Sequence, residues 1–231
     1  MSPKIFLLYV LILFALTSCN SVSPTPVSSP VASITPTLEF PEESLAPAPA
    51  YPTSPVVVYT ATPSSLQQEI LDRASEVIMM LKNKDMVTLS QYVHPLLGLR
   101  FSPYSFVQDT DQVFSTSQVA GLFSDNTKYT WGNYDGSGAP IELTFVEYYF
   151  QFVYDVDFAT APEIALNHRL GEGNSLDNAQ EFYPGSMVVE YYFPGFDTQY
   201  EGMDWRSLRL IFSQDSNNWY LAGIIHDQLT S

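Results

Sequence analysis

The sequence predicts an α+β domain over residues 64–231, with N-terminal helices packed on a curved, mostly antiparallel sheet that ends in a β-hairpin. Three observations carry this. Ile70, Leu71, Ala74, Val77, Ile78 and Leu81 recur at helical spacing near the start of the domain. Two strand-like runs close the chain, 206–212 and 219–225, with Leu208, Leu210 and Phe212 on one face of the first and the turn-forming Gln214-Asp215-Ser216-Asn217-Asn218 between them. Helices first and strands afterwards is the order of an α+β layering, where both elements bury one apolar side in a shared core.

Each element has a local cause. Ser65 followed by Gln68 reads as a capping box opening the first helix, and Lys82 and Lys84 at its end complement the helix dipole. Asp85 caps a short second helix to about Tyr92, with Met86 and Leu89 inward and Pro95 stopping it. Ser115 with Gln118 predicts a third short helix running to Phe123. Thr144 with Glu147 is another capping box, ahead of Phe145, Tyr148, Tyr149, Phe152 and Val153. That segment reads as helix, although aromatic residues also favour strands. Strands are expected near 99–101, 129–134 and 164–169, then over Met187–Phe193 up to Pro194-Gly195, and in the closing hairpin.

A long first helix, a short second helix started by Lys84-Asp85, and a final hairpin of the type Leu208-Arg209-Leu210-Ile211-Phe212 with Trp219-Tyr220-Leu221 resemble the nuclear transport factor 2-like, or cystatin-like, superfamily over about residues 66–228. The resemblance implies a cavity between helices and sheet whose polar lining decides whether it binds or catalyses. The strings Tyr92-Val93-His94-Pro95, Arg100-Phe101-Ser102-Pro103-Tyr104, Trp131-Gly132 and His226-Asp227 also look like those of uncharacterised bacterial lipoproteins, a likeness that brings no activity with it.

The first 63 residues have a different chemistry. Lys4, an apolar run over 5–16, and Thr17-Ser18-Cys19 follow the charged, apolar and small-residue order of a secretory signal peptide over 1–18. The run is too short to span a bilayer, which needs about 20 apolar residues. Leu16-Thr17-Ser18-Cys19 resembles the lipobox of bacterial lipoproteins. The resemblance implies cleavage before Cys19, a diacylglycerol on its sulfur, an acyl chain such as palmitate on its amino group, and an extracytoplasmic protein anchored to the bacterial cell membrane. Asn20 rather than Asp after the cysteine leaves an outer membrane open where the host has one. Residues 20–63 hold 10 Pro and 13 Ser or Thr, no Lys or Arg, and only Glu39, Glu42 and Glu43 as charges. Such a segment cannot bury enough apolar surface to offset its ordering entropy, so 19–63 reads as the lipidated Cys19 followed by a disordered tether, with a reach of up to about 130 Å if extended. Val56-Val57-Val58-Tyr59 is its one β-prone patch and a candidate edge strand.

Composition also bounds function. A formal charge of -16 argues against a nucleic-acid partner, since phosphate recognition relies on Lys and Arg. One cysteine excludes an internal disulfide framework and a thiolate zinc cluster. His94, His168 and His226 have no zinc-protease spacing, and adjacent His226 and Asp227 on a strand point to opposite faces. Gly171-Glu172-Gly173 and Gly136-Ser137-Gly138 lack the context of a phosphate loop, and no Gly-x-Ser-x-Gly occurs. Asp155 and Asp157, with Glu163 nearby, are oxygen-rich enough to raise calcium, but scattered acids read better as solvated surface, so no metal or cofactor is expected. Trp131, Trp205 and Trp219 leave a carbohydrate-stacking platform open.

The sharpest candidate site is a pocket formed by Arg100, Trp131, Asp155 and His226, which offer an anion partner, a stacking surface, an acid and a titratable base. The opposing reading buries Trp131 in the core and pairs Arg100 with an internal acid. Without a recognisable set of nucleophile, base and orienting group, the expectation is a binding module for a small molecule or cell-envelope component. The alternatives are a small-pocket hydrolase or isomerase using His226 or Asp155 as general acid-base, and an interaction partner of another envelope protein.

Overall fold

The computed structural model describes Val56–Val58 and residues 63–230. The signal segment, Cys19 and the tether up to residue 55 lie outside the described residues.

Helix α1 (Ser65–Asn83) begins one residue earlier than its box suggested. Ser64 is the N-cap: its Oγ accepts from the Gln67 amide at 3.3 Å, and Gln67 Oε1 accepts from the Ser64 amide at 2.8 Å. The doublets Ser64-Ser65 and Gln67-Gln68 permit either register. Gln68 turns instead to Asp72 at 2.9 Å. All six stripe residues are buried. Lys84 ends the helix in the left-handed region, and Asp85 then caps α2 (Met86–Leu89) through the Thr88 amide at 3.0 Å.

The strands follow as β2 (Leu99–Ser102) and β3 (Gln112–Phe114), with β1 (Val56–Val58) preceding the helices. After α3 (Thr116–Val119) come β4 (Tyr129–Asn133) and β5 (Pro140–Leu143), a separate hairpin turning on Gly136 and Gly138, both at positive φ. The aromatic segment is helical, α4 (Phe145–Phe152), and Thr144 and Glu147 form its capping box. The chain continues through β6 (Glu163–Leu166), α5 (Ala179–Phe182), β7 (Met187–Phe193), β8 (Arg206–Asp215) and β9 (Asn218–Gln228).

Seven strands form the main sheet in the order β1-β6-β7-β8-β9-β2-β3. Pairing is antiparallel except for β1 with β6 and β2 with β9. The fold is therefore α+β as expected, with the closing hairpin β8–β9 carrying a register shift between Ile211 and Phe212. β6 stops short of the expected 164–169, because Asn167 takes φ 54 and its side-chain oxygen accepts from the Val188 amide at 2.8 Å. His168 and Arg169 thus leave the sheet. β3, β5 and α5 are too short to announce themselves by periodicity.

The two faces of the sheet differ. Leu99, Phe101, Val189, Leu208, Leu210, Phe212, Leu221 and Ile224 meet the helices in a core filled with rings. Trp131 is wholly buried there, stacked on Tyr148 at 3.9 Å between centroids and edge-on to Phe101 at 6.1 Å. Rings in such contact are worth about 0.5–1.5 kcal/mol per pair beyond the area they bury. The opposite face carries a smaller apolar cluster of Val107, Tyr183, Val188, Ile211, Ala222 and Ile225, and around it a set of buried charges.

Candidate functional site

Strand alternation puts Arg100 on the face opposite Leu99 and Phe101, across from Gly223 of β9. Gly223 leaves room on that face: a Cβ there would lie 3.6 Å from the Tyr183 hydroxyl and 3.2 Å from Ile211. The phenol of Tyr183 comes in over the sheet and its oxygen accepts from Arg100 Nε at 3.2 Å. Behind it, Tyr183-Pro184-Gly185-Ser186 closes a tight turn, with the Ser186 amide bonded to the Tyr183 carbonyl at 3.1 Å and Gly185 at φ 78. Proline second and a positive-φ glycine third are what a type II turn needs.

Arg100 is fixed by neutral groups. Nη1 donates to the carbonyls of Gln108 at 2.7 Å, Asp111 at 3.2 Å and Asp109 at 3.4 Å, and the guanidinium lies 4.9 Å from the centroid of the Phe182 ring. The Asp111 side chain faces elsewhere: its Oδ2 accepts from Ser102 Oγ at 2.5 Å and the Gln108 amide at 2.9 Å, and burial raises its carboxyl above the usual range despite those bonds. Together these groups wall a cavity of about 520 Å³, a size typical of small-molecule sites. Arg100, Phe182, Tyr183 and Ser186 line it together with His94, Leu97 and, from β8, Ser213 and Gln214. Ser186 is 5% exposed, and its hydroxyl has no hydrogen-bond partner among the described residues. The His94 ring nitrogen Nδ1 accepts from the amides of Leu96 and Leu97 at 3.2 and 3.1 Å. Burial lowers its pKa below the usual value, so the ring is held neutral.

The four residues singled out from the sequence do not converge. Trp131 is in the ring-filled core and Arg100 is on the far face of the sheet. Asp155 and His226 do meet: Nε2 lies 3.3 Å from Asp155 Oδ2, which also accepts from Arg206 Nε at 3.0 Å. The imidazole is wholly buried and edge-on to Phe152 at 5.8 Å. Its contact with Asp155 is close but poorly aligned, so neither ring nitrogen has a well-formed hydrogen bond among the described residues. Burial raises the Asp155 pKa, but His226 and Arg206 outweigh it and hold the carboxyl below its usual value. Asp157 turns away to Lys82 at 2.7 Å and to Tyr154 at 2.7 Å. The pair therefore does not share the face it would share in an extended strand.

His226 and Asp227 do point to opposite faces. Asp227 is wholly buried and accepts from Arg169 at 2.7 Å, while nearly buried Arg209 pairs with Asp177 at 2.8 Å. Glu190, also wholly buried, accepts from the amides of Leu170 and Gly171 and from Ser207 Oγ at 2.7, 3.0 and 2.6 Å. This explains the glycine pair at 171 and 173. A Cβ at Gly171 would stand 2.5 Å from the Trp205 ring, and one at Gly173 would stand 3.1 Å from it. All three tryptophans are buried, so none offers an exposed stacking face.

Of the cavity residues only Arg100 was singled out as a ligand contact. The turn around Pro184-Gly185 was the available signal for Tyr183 and Ser186. Nothing local marks Phe182. Comparison of the chain with models of protein families, with curated proteins and with solved structures finds no match.

Proposed function

We propose that the protein is an extracytoplasmic lipoprotein, held on the membrane through Cys19, whose domain binds a small molecule or cell-envelope component in the Arg100 cavity. The observation that carries this reading is the contrast between the two faces of the sheet. The helix side is packed with rings and buries Trp131 and His226 wholly, whereas the Arg100 side has an open cavity lined by a cation, the Phe182 and Tyr183 rings, and Ser186, whose hydroxyl has no hydrogen-bond partner among the described residues. The long α1, the Asp85-capped α2 and the closing hairpin support the resemblance to the nuclear transport factor 2-like superfamily. The cavity proposed here nevertheless lies on the other face from the one that resemblance implies. The burial of His226 behind Phe152, and the coupling of Asp155 to Arg206, favour a structural role for that pair over acid-base catalysis.

Two experiments test the reading. Labelled palmitate should enter the wild-type protein and not Cys19→Ala, with globomycin blocking maturation; an unlabelled wild type removes the anchor. A thermal-shift screen of metals, sugars and envelope components should find a compound that raises the melting temperature of the wild type and not of Arg100→Ala, because only a ligand of the native state stabilises it. A compound that stabilises both equally sits elsewhere.

A further inference from the structure

We infer that the ligand of the Arg100 cavity is a small-molecule carboxylate with an apolar or aromatic body, an identification that rests on the cavity being the binding site. The charge pattern of the domain points to it. Of the five arginines, Arg73, Arg169, Arg206 and Arg209 each have a carboxylate oxygen within 4.0 Å, and among the described residues Arg100 has none. In a chain with 25 acids and 9 bases, a partly buried guanidinium bound only by carbonyls and a phenol is the exception. Asp111, whose carboxyl feels the guanidinium charge but is bonded to Ser102 and the Gln108 amide, forms no ion pair with it, and no acid is among the side chains lining the cavity. A carboxylate supplied from outside would complete it, since guanidinium and carboxylate match edge to edge.

The rest of the lining narrows the class. None of the four bonds that fix Arg100 uses Nη2. Ser186 also borders this space, and its hydroxyl is buried with no hydrogen-bond partner among the described residues; an unmade bond there costs about 1–3 kcal/mol, which a ligand oxygen reaching it would recover. Both donors are suited to an oxygen acceptor. Phe182 and Leu97 supply apolar wall for a planar or aliphatic body. A single guanidinium compensates one negative charge, and the strongly acidic chain repels a second, so a monoanion fits better than a phosphate dianion.

The test is an NMR titration of the full chain, 15N-labelled and held in detergent micelles, following the Gly185 and Ser186 amides and Arg100 Nε. The probes are benzoate, its neutral counterpart benzamide, and phenyl phosphate. Benzoate should shift these signals saturably and bind at least about tenfold more tightly than benzamide, the loss expected when a charge-assisted hydrogen bond is removed. Arg100→Gln should abolish that preference. Because Arg100 also holds the 108–111 loop, Ser186→Ala provides a second variant that leaves the loop's bonds intact, and it should weaken benzoate by about three- to tenfold. Benzamide binding as well as benzoate, or phenyl phosphate binding more tightly, would overturn the carboxylate assignment and leave the cavity as the site. If no probe moves these signals, the site itself fails.

Discussion

Gly171→Ala isolates one steric contact. Gly171 has no positive φ, so alanine suits its backbone, and the whole cost comes from the new methyl group. That methyl would stand 2.5, 3.0 and 3.2 Å from three atoms of the Trp205 benzo ring. Contacts below 3.0 Å cannot persist, and Trp205 is only 4% exposed, with the Tyr192 ring tilted against it at 5.9 Å between centroids. Either the indole or the 170–171 backbone must move, and the Gly171 amide is a donor to Glu190, so the strain spreads to a buried carboxylate. Overpacking of this kind costs about 1–3 kcal/mol. In a domain of this size each kcal/mol lowers the melting temperature by about 2–4 °C, so the expected fall is about 2–12 °C. Urea unfolding followed by tryptophan fluorescence gives the free energy directly. Gly138→Ala is the control: φ is 68, but nothing lies within 4 Å of its Cβ, so only the backbone cost of about 1 kcal/mol applies. Trp205→Phe removes the benzo ring, and in that background the Gly171→Ala penalty should shrink by at least about 1 kcal/mol. A Gly171→Ala protein as stable as the wild type, or an undiminished penalty beside Phe at 205, would refute the steric explanation.

Other outcomes follow from the same geometry. Tyr148 buries a hydroxyl with no hydrogen-bond partner among the described residues, so Tyr148→Phe should be neutral or stabilising by up to about 1 kcal/mol in urea unfolding; a loss of more than that would reveal a bond to water or protein. Asp155→Asn should cost about 2–3 kcal/mol, less than the roughly 3–5 of a fully buried pair because Arg206 keeps some solvent. The Asp155 carboxyl has a lowered pKa, so its contribution is present at neutral pH and disappears as pH falls through the folded value. The variant should therefore show a shallower acid limb of stability against pH, and an unchanged limb would count against the pair. For His94 the neutral ring is favoured in the fold, so stability is full above the ordinary value near 6.5 and declines as pH drops below it. His94→Asn, which can still accept at the Leu96 and Leu97 amides, should flatten that decline; a slope equal to the wild type would show that other groups cause it.

Much of the architecture was legible because it is locally encoded. The α1 stripe, the Asp85 cap and the Thr144 box each depend on residues three or four positions apart, and each forms an element close to where it was expected. The errors have equally specific causes. Repeated Ser and Gln at 64–68 hid the helix start by one residue. Asn167 cut β6 short by adopting a left-handed conformation that its side-chain bond to Val188 supports. The parallel pairing of β2 with β9 joins residues more than 100 positions apart and leaves no short-range pattern.

For the candidate site the division is sharper. Residue type offered Arg100 as an anion partner without deciding between that and pairing with an internal acid, and strand alternation set His226 and Asp227 facing apart. Which acid meets which base was decided only in three dimensions: Asp155 joins Arg206 and His226, Asp177 joins Arg209, and Asp227 joins Arg169, across separations that no periodicity spans. By itself the sequence determined the α+β class and the starts of the first four helices to within one residue, because propensity and capping act locally. Tertiary structure alone decided that the helix side of the sheet fills with rings while the other side leaves Arg100, Tyr183 and Ser186 around an open space. That outcome depends on how strands remote in sequence pack and on which polar groups remain unpaired once they have.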